Sequence, residues 1–298
     1  MEELQRICAS HGCTLERDVP LSAHTTFRIG GTADLWVEVT STEALSALLQ
    51  CCRRNGMPYF VLGRGSNILA EDAGFRGVIL HLGNAFSEIR AEGNTLICQA
   101  GAGLGAAARM AASLSLTGME CLSGIPGTVG GALYMNAGAY GGEMKDIVTS
   151  CTYVDREGNI RTMTPEEMDL SYRHSVFEEN GGVIVEVTMT LQPGDPAAIA
   201  EKTEQLLEQR RTKQPLEYPS AGSTFKRPAG SYASLLIDQC GLKGLSVGGA
   251  QVSEKHCGFV INTGDATCAD VMALCSQVHD IVKERTGYEL ELEPVVLG

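Results

Sequence analysis

The stretch Ser123–Ala132 reads Ser-Gly-Ile-Pro-Gly-Thr-Val-Gly-Gly-Ala, and Met135–Gly141 follows as Met-Asn-Ala-Gly-Ala-Tyr-Gly. Runs of such small residues let the backbone approach a flat or phosphorylated group closely. The alternative is tight packing of two strands with no ligand, which accounts poorly for so many glycines together with Thr128 and Asn136. The stretch therefore predicts a binding loop.

A second glycine cluster, Gly63-Arg64-Gly65-Ser66-Asn67, comes directly after a short apolar segment, Tyr59–Leu62, that is typical of a buried strand. Glycines here let successive N–H groups turn toward one point and form an anion-binding nest. The short side chains of Ser66 and Asn67 add further hydrogen-bond donors, so a diphosphate is the ligand that this loop would suit. A simple glycine-rich turn is the alternative.

A third cluster, residues 101–106, matches the G-x-G-x-x-A pattern of a nicotinamide-type dinucleotide site. That fingerprint belongs at the first strand of a βαβ unit, with an acidic residue closing the next strand. Glu120 comes too early for that role, so the match is weak.

Composition narrows the class of protein. The chain has 298 residues, 44% of them hydrophobic and 20% charged, and a formal net charge of −13. Such an acidic balance argues against a nucleic-acid or anionic-membrane surface. The first residues do not read as a signal peptide and no apolar run is long enough to span a bilayer, so we expect a cytoplasmic protein.

The eleven cysteines contain no Cys-x-x-Cys pair. Because the number is odd and no secretory signal is recognised, we expect reduced, mostly buried thiols, with neither disulfides nor a metal site.

The local patterns predict a mixed α+β protein. Thr40 and Glu43 have capping-box spacing before a helical rhythm that runs to Cys52. Strands and glycine turns dominate from about 69 to 195, with strands expected at 78–82, 95–100, 150–155, 160–163 and 183–191 and a hairpin turn at 156–159. Pro193–Pro196 marks a boundary, after which helices are expected near 197–212, 231–240 and 267–286, followed by a strand at 288–297.

Seven segments in order resemble the UDP-N-acetylenolpyruvoylglucosamine reductase family, in its shorter type II form. They are Thr26–Gly31 (TFRIGG), Gly63–Asn67, Ile125–Ala132 (IPGTVGGA), Asn136–Gly141 (NAGAYG), Ser171–Ser175 (SYRHS), Ala221–Lys226 (AGSTFK) and Leu290–Glu293 (LELE).

The resemblance implies two FAD-binding α/β subdomains of the p-cresol methylhydroxylase (vanillyl-alcohol oxidase) type and a C-terminal α+β substrate-binding domain. The corresponding boundaries are 1–68 for the first subdomain, to which the strand 288–298 returns, 69–195 for the second and 196–287 for the substrate domain. FAD is expected to be non-covalent, because no histidine lies in loop 63–67. The implied cofactor residues are Gly63, Arg64, Gly65, Ser66, Asn67, Ser123, Gly124, Ile125, Gly127, Thr128, Gly131, Ala132, Asn136 and Ala139. The dinucleotide interpretation of 101–106 then falls away.

The implied reaction carries hydride from NADPH through FAD to the enolpyruvyl group of a UDP-sugar, in the synthesis of peptidoglycan precursors. Arg173 matches the family residue that stabilises the charge developing on the substrate carboxylate, since a guanidinium can bind it bidentately. Ser223 matches the family's proton donor, and its hydroxyl would need cationic neighbours, for which Lys226 and Arg227 are near in sequence, or a water relay to work at neutral pH.

Glu293 matches the family's essential C-terminal glutamate, which is expected to help polarise or protonate the intermediate beside Arg173. Pro294 departs from the family pattern, so Glu291 is the alternative to Glu293.

The resemblance also implies substrate contacts. Lys213 matches a lysine that contacts the UDP phosphates, His256 stands at a polar substrate position, and Tyr172 and Arg227 are further candidates. No obligate protein partner is evident. Two alternative functions are another FAD-dependent oxidase or dehydrogenase of the same fold and a flavin-binding module without catalysis.

Overall fold

The structure, a computed structural model, describes residues 1–298. Its helices are α1 (Glu2–His11), α2 (Thr42–Arg54), α3 (Leu104–Ser113), α4 (Val129–Tyr134), α5 (Phe177–Asn180), α6 (Pro196–Lys213), α7 (Ala233–Gln239) and α8 (Cys268–Thr286). Its strands are β1 (Thr14–Pro20), β2 (Thr32–Glu38), β3 (Tyr59–Leu62), β4 (Ile68–Ala70), β5 (Phe75–His81), β6 (Ile89–Glu92), β7 (Thr95–Gln99), β8 (Leu116–Thr117), β9 (Gly138–Ala139), β10 (Gly142–Glu143), β11 (Val148–Val154), β12 (Ile160–Met163), β13 (Val183–Thr190), β14 (Gln192–Pro193), β15 (Ser246–Val247), β16 (Ala250–Val252), β17 (Val260–Asn262) and β18 (Val295–Leu297). This mixture of helix and sheet confirms the α+β class.

The chain forms two compact units, each with its own hydrophobic core. The first comprises 1–17, 35–63 and 77–209, and the second comprises 18–34, 64–76 and 210–298. The three-domain assignment made from the sequence stays a prediction.

The first unit is built on a five-stranded antiparallel sheet of order β12-β11-β13-β7-β6. In β7 and in the second half of β13, buried residues alternate with partly exposed ones, as a sheet with one face on a core requires. Helix α2 buries Leu45, Leu48 and Leu49 in the same core, because residues three and four apart share one face of a helix.

The second unit is organised around α8, which buries Val271, Leu274 and Val278. A three-stranded sheet of order β15-β16-β17 belongs to this unit. Strand β18 pairs in parallel with β4, with Val295 opposite Ile68. The C-terminal end of the chain is thereby tied to the segment that directly follows loop 63–67.

Most of the predicted elements are present, with shifted ends. The hairpin turn between β11 and β12 is confirmed, and Asn159 N donates to Asp155 Oδ1 at 2.8 Å inside it. The capping box at Thr40 is wrong. Ser41 is the N-cap of α2 and accepts from Ala44 N at 3.1 Å, while Thr40 Oγ1 donates to His11 O at 2.7 Å. The strand expected over 288–297 is present only as Val295–Leu297.

All the cysteines are unpaired thiols, and all except Cys13 and Cys121 are buried. Burial raises the pKa of Cys52 and Cys98 to about 12, so both are neutral, apolar core residues. None of the helices combines the length and the apolar character that crossing a membrane would require.

Candidate active site

The loop predicted from Ser123–Ala132 lies in the first unit and leads into the short helix α4. Thr128 is its N-cap, and its hydroxyl accepts from Gly131 N at 3.2 Å. On one side the loop pairs with the third glycine cluster: Leu104 N donates to Gly127 O at 3.0 Å and Val129 N donates to Ala102 O at 2.8 Å. The G-x-G-x-x-A match at 101–106 is therefore a strand-to-helix connection that holds the loop in place.

The first and second glycine clusters meet at Gly63 and Thr128. A Cβ on Gly63 would lie 2.6 Å from Thr128 Oγ1, closer than real Cβ contacts come. Only glycine allows this approach. The result is a junction of two backbone-rich loops with no side chain larger than threonine at the contact, which fits the close backbone approach that the diphosphate of FAD requires. The residues present therefore fit this cofactor.

The other predicted cofactor residues of the first unit belong to the same continuous segment. Ser123 Oγ donates to Glu120 O at 2.7 Å, Ala132 is buried in α4, and Ala139 lies in the β9–β10 hairpin. Asn136 is fully buried just before that hairpin.

Arg173 and Tyr172 form the tip of a tight two-residue turn in the first unit. Ser171 and His174 exchange backbone hydrogen bonds of 3.2 Å across its base, and Arg173 has a positive φ of 54°. Arg173 Nη2 donates to Gly138 O at 3.3 Å, and its guanidinium carbon lies 5.2 Å from the centre of the Tyr172 ring. Tyr172 itself is 46% exposed. The guanidinium is thus supported by the glycine segment 138–141 that the sequence singles out.

The second unit brings together three of the predicted segments. The segment of Ser223 runs antiparallel to that of Glu293, since Phe225 is bridged to Leu292 and Glu293 N donates to Thr224 O at 3.0 Å. Asn67, from the second glycine cluster, donates through Nδ2 to Glu293 O at 3.2 Å. Ser223, Asn67 and the backbone of Glu293 are therefore neighbours.

The two candidate glutamates differ in their surroundings. The side chain of Glu291 is 77% exposed and its Oε2 lies 3.7 Å from Lys226 Nζ. Glu293 is half-buried, with its backbone bonded to both Thr224 and Asn67. Glu291 is also bonded to the segment of Ser223, since Lys226 N donates to Glu291 O at 2.8 Å. The two glutamates thus differ in exposure, and the choice of Glu293 stays a prediction.

Lys213 and His256 are near each other in the second unit. Burial lowers the pKa of His256, and the charge of Lys213 lowers it further, although a backbone hydrogen bond acts in the opposite direction. Gly258 N donates to His256 Nδ1 at 3.1 Å, so the neutral ring carries its proton on Nε2. An ammonium and a ring N–H group are both hydrogen-bond donors, the kind of group that an anionic ligand requires.

The cations closest in sequence to Ser223 have other partners. Lys226 faces Glu291, and the guanidinium carbon of Arg227 lies 4.5 Å from the centre of the exposed Tyr232 ring. Arg64 is exposed, while Gly65 accepts from Thr26 N through its carbonyl at 3.2 Å.

Several supporting residues were not found by sequence reasoning. Thr224 is 3% exposed and its hydroxyl accepts from Val260 N at 2.8 Å. Thr26 Oγ1 donates to Ser220 O at 2.7 Å, and Ser175 Oγ donates to Tyr134 O. All three lie inside the family segments quoted above, and this was the only sign in the sequence that they matter. Their hydrogen-bond partners are remote in sequence, so no local pattern reveals them.

Comparisons with known proteins agree with this site. Residues 33–164 match the family model of an FAD binding domain, and residues 214–297 match that of the UDP-N-acetylenolpyruvoylglucosamine reductase C-terminal domain. The chain is 48% identical over 302 residues to the UDP-N-acetylenolpyruvoylglucosamine reductase of Lachnoclostridium phytofermentans, an alignment that covers 100% of this chain and 97% of that protein.

Solved structures give the same family and the predicted fold type. The UDP-N-acetylenolpyruvylglucosamine reductase of Thermus caldophilus superposes with a TM-score of 0.84 at 35% identity, covering 96% of this chain and 100% of the other. p-Cresol methylhydroxylase matches with a TM-score of 0.50 at 16% identity, covering 98% of this chain and 65% of the other, which shows a shared fold alone. With matching family models at both ends and a relative at 48% identity along its whole length, the chain belongs to the UDP-N-acetylenolpyruvoylglucosamine reductase family.

Proposed function

We propose that the chain reduces the enolpyruvyl group of UDP-N-acetylenolpyruvoylglucosamine to the lactyl ether of UDP-N-acetylmuramate, with FAD as cofactor and NADPH as the source of hydride. The observation that carries the proposal is the junction of Gly63 and Thr128, where two glycine loops of a chain from this family meet. We further propose that the reaction takes place in the cytoplasm, where it supplies the cell-wall synthesis that cell shape and division depend on.

FAD, when bound, supplies the hydride transfer between NADPH and the β-carbon of the enolpyruvyl group. The backbone of 124–131, next to Gly63, would hold its diphosphate, with Thr128 as a side-chain donor. The absence of bulky side chains at Gly63 and Thr128 supports this assignment.

Arg173 stabilises the negative charge that moves onto the substrate carboxylate when hydride reaches the β-carbon. A guanidinium donates two parallel charge-assisted hydrogen bonds to a carboxylate, and these strengthen as charge accumulates. Its fixed position on a two-residue turn supports the role, because a pre-positioned donor needs no reorganisation during the reaction.

Ser223 delivers the proton that the α-carbon needs to complete the reduction. A serine hydroxyl is a weak acid and requires a neighbour that replaces or shares its proton. The antiparallel pairing of its segment with that of Glu293 supports Glu293 as this neighbour. Lys226 and Arg227 are less suited, because they face Glu291 and Tyr232.

Lys213 and His256 bind the diphosphate of the UDP-sugar. Lys213 supplies a point charge, and the neutral His256 ring donates through Nε2. Tyr172 and Arg227, both with exposed faces, provide further substrate contacts.

The test is an anaerobic two-step experiment on the purified flavoprotein. NADPH bleaches the flavin absorbance, and UDP-N-acetylenolpyruvoylglucosamine restores it with formation of UDP-N-acetylmuramate. If NADPH reduces the flavin but this substrate does not reoxidise it, the proposal is wrong and the chain is another oxidase or dehydrogenase of the same fold. Bound flavin that NADPH does not reduce favours a non-catalytic flavin-binding module.

The same experiment tests the role of Ser223, because it measures flavin reduction and flavin reoxidation separately. Ser223→Ala keeps reduction by NADPH within about twofold and slows reoxidation by the substrate by about 100-fold or more, the typical contribution of general acid catalysis. Equal losses in both steps contradict the role of Ser223 as proton donor.

A further inference from the structure

A single buried amide, Asn136, connects the elements that hold Arg173. Asn136 is 0% exposed, and its Nδ2 donates to Ser171 O at 2.8 Å and to Glu143 Oε2 at 2.6 Å. Its Oδ1 accepts from Lys145 N at 2.9 Å. Both amide hydrogens and the amide oxygen therefore have partners within the first unit.

The backbone of Asn136 adds a second restriction on this position. Its φ is 41°, in the left-handed region where asparagine is far more common than most other residues with a side chain. Asparagine combines ready access to this conformation with a short side chain that carries two N–H donors and an acceptor.

The first connection from Asn136 to Arg173 runs through Ser171. The carbonyl of Ser171 stands at the base of the Tyr172–Arg173 turn, whose two ends, Ser171 and His174, exchange backbone hydrogen bonds with each other. A carbonyl fixed by a buried donor fixes the plane of the peptide that begins the turn. The direction in which the tip leaves the core depends on that plane.

The second connection runs through Glu143. Glu143 pairs with Gly138 in the β9–β10 hairpin, and Gly138 O accepts from Arg173 Nη2 at 3.3 Å. The two-residue loop of this hairpin, Tyr140-Gly141, has positive φ at both positions, 53° and 90°, as a type I′ turn requires. The acceptor of the guanidinium is thus on a regular hairpin whose other strand is bonded to Asn136.

We propose that Asn136 is a positioning residue for Arg173, acting on the base of its turn through Ser171 and on the acceptor of its guanidinium through Glu143. The inference rests on the proposed function of Arg173 in the reductive step. It gives the Asn136 side chain a role separate from the predicted cofactor contact, because its polar atoms are bonded to the chain itself.

The direct test is Asn136→Asp, because aspartate has nearly the same side-chain shape as asparagine and also tolerates a positive φ. It replaces the donating NH2 group by an oxygen that faces two acceptors, Glu143 Oε2 and Ser171 O. We expect reoxidation of the reduced flavin by the enolpyruvyl substrate to slow by about 10- to 100-fold, the effect of misplacing a catalytic group by about 1 Å. Reduction by NADPH stays within about twofold.

Asn94→Asp is the matched control. It makes the same change in the same unit, where Asn94 Nδ2 donates to Leu191 O at 3.0 Å, and it leaves both half-reactions unchanged.

A double-mutant cycle with Arg173→Lys separates positioning from a general structural effect. If Asn136 acts through the guanidinium, Asn136→Asp slows reoxidation less than about threefold when residue 173 is already lysine. The full effect persisting in the Arg173→Lys background overturns the inference. If Arg173→Lys itself leaves reoxidation unchanged, the proposed function of Arg173 is what fails.

Hydrogen exchange gives a readout independent of activity. In Asn136→Asp the peptide covering 169–176 exchanges about tenfold faster or more, while the Asn94→Asp protein matches the parent there. Unchanged exchange in this peptide overturns the inference. Should Asn136→Asp give no folded protein, Asn136→Gly removes the same bonds at a backbone position that glycine accepts, and the same outcomes decide.

Discussion

The contact between Gly63 and Thr128 makes Gly63→Ala the sharpest structural test of the cofactor site. The added Cβ would lie 2.6 Å from Thr128 Oγ1 and 3.1 Å from Thr128 Cγ2, whereas ordinary contact begins at 3.4 Å. One of the two loops must therefore move by about 0.8 Å, a large shift in a close-packed junction.

The cost follows from what Thr128 does. Displacing its side chain weakens the cap on Gly131 N, and overpacking adds strain, so we expect a loss of about 1–3 kcal/mol in the free energy of unfolding. Losing one charge-assisted hydrogen bond to the FAD diphosphate weakens binding by about 1.5–3 kcal/mol, which is roughly 10- to 100-fold in Kd.

Two measurements check these magnitudes. Urea unfolding of the apoprotein is followed by the fluorescence of Trp36, which is the single tryptophan, is 2% exposed and belongs to the same unit. FAD affinity is followed by quenching of flavin fluorescence.

Two companion variants locate the cause at Thr128. Thr128→Gly alone costs only a few tenths of a kcal/mol, because glycine is an acceptable N-cap, and it relieves most of the destabilisation of Gly63→Ala when the two are combined. In Gly131→Ala the added Cβ would lie 3.2 Å from the same Thr128 oxygen. Gly131 is in helix α4, where alanine is favoured over glycine, so we expect almost no change in the free energy of unfolding. A Gly63→Ala protein whose stability and FAD affinity are unchanged, or whose destabilisation Thr128→Gly does not relieve, rules out the steric conflict between residue 63 and Thr128.

Three other predictions concern single carboxylates and one histidine. Glu293→Gln lowers kcat by about 100-fold, whereas Glu291→Gln, whose side chain is 77% exposed, changes it less than about twofold; steady-state assays compare the two. Burial alone would raise the pKa of Asp155 above its ordinary 3.8, but hydrogen bonds from Arg161 and Asn159 outweigh burial and hold this pKa at about 2. Its stabilising contribution is therefore complete above pH 3.8 and is lost as pH falls toward 2; Asp155→Asn costs about 1–2 kcal/mol at neutral pH and flattens the acid limb of urea-unfolding curves. Burial lowers the pKa of His256 from 6.5, so the unfolded chain binds the proton more readily and stability decreases as pH falls below 6.5; His256→Gln removes that part of the decrease.

Local patterns were enough for the larger elements of the fold. Helix α2 and strands β3, β7 and β13 follow from apolar periodicity and turn residues, because these signals act over a few neighbours. The N-cap of α2 was misassigned by one residue, since Thr40 and Ser41 can both cap a helix and Thr40 instead bonds to His11 O. Short strands such as β4 and β18 depend on a partner more than 220 residues away, which no local pattern reveals.

The site divides in the same way. The glycine loops could be predicted because their composition is itself the signal, and the catalytic candidates followed only from family resemblance. No pattern in Ser-Tyr-Arg-His-Ser shows that Arg173 has a positive φ or that Gly138 O accepts a hydrogen bond from its guanidinium group. Likewise, the pairing of Thr224 with Glu293 is a long-range backbone contact that no local pattern reveals, and the choice of Glu293 over Glu291 stays a prediction.

One stoichiometric titration decides whether this chain reduces an enolpyruvyl UDP-sugar. The FAD-loaded protein is reduced anaerobically with one equivalent of NADPH and then titrated with UDP-N-acetylenolpyruvoylglucosamine. If the chain is this reductase, oxidised flavin absorbance returns in full at one equivalent, with one equivalent of UDP-N-acetylmuramate formed. Flavin that stays reduced after excess substrate contradicts this function.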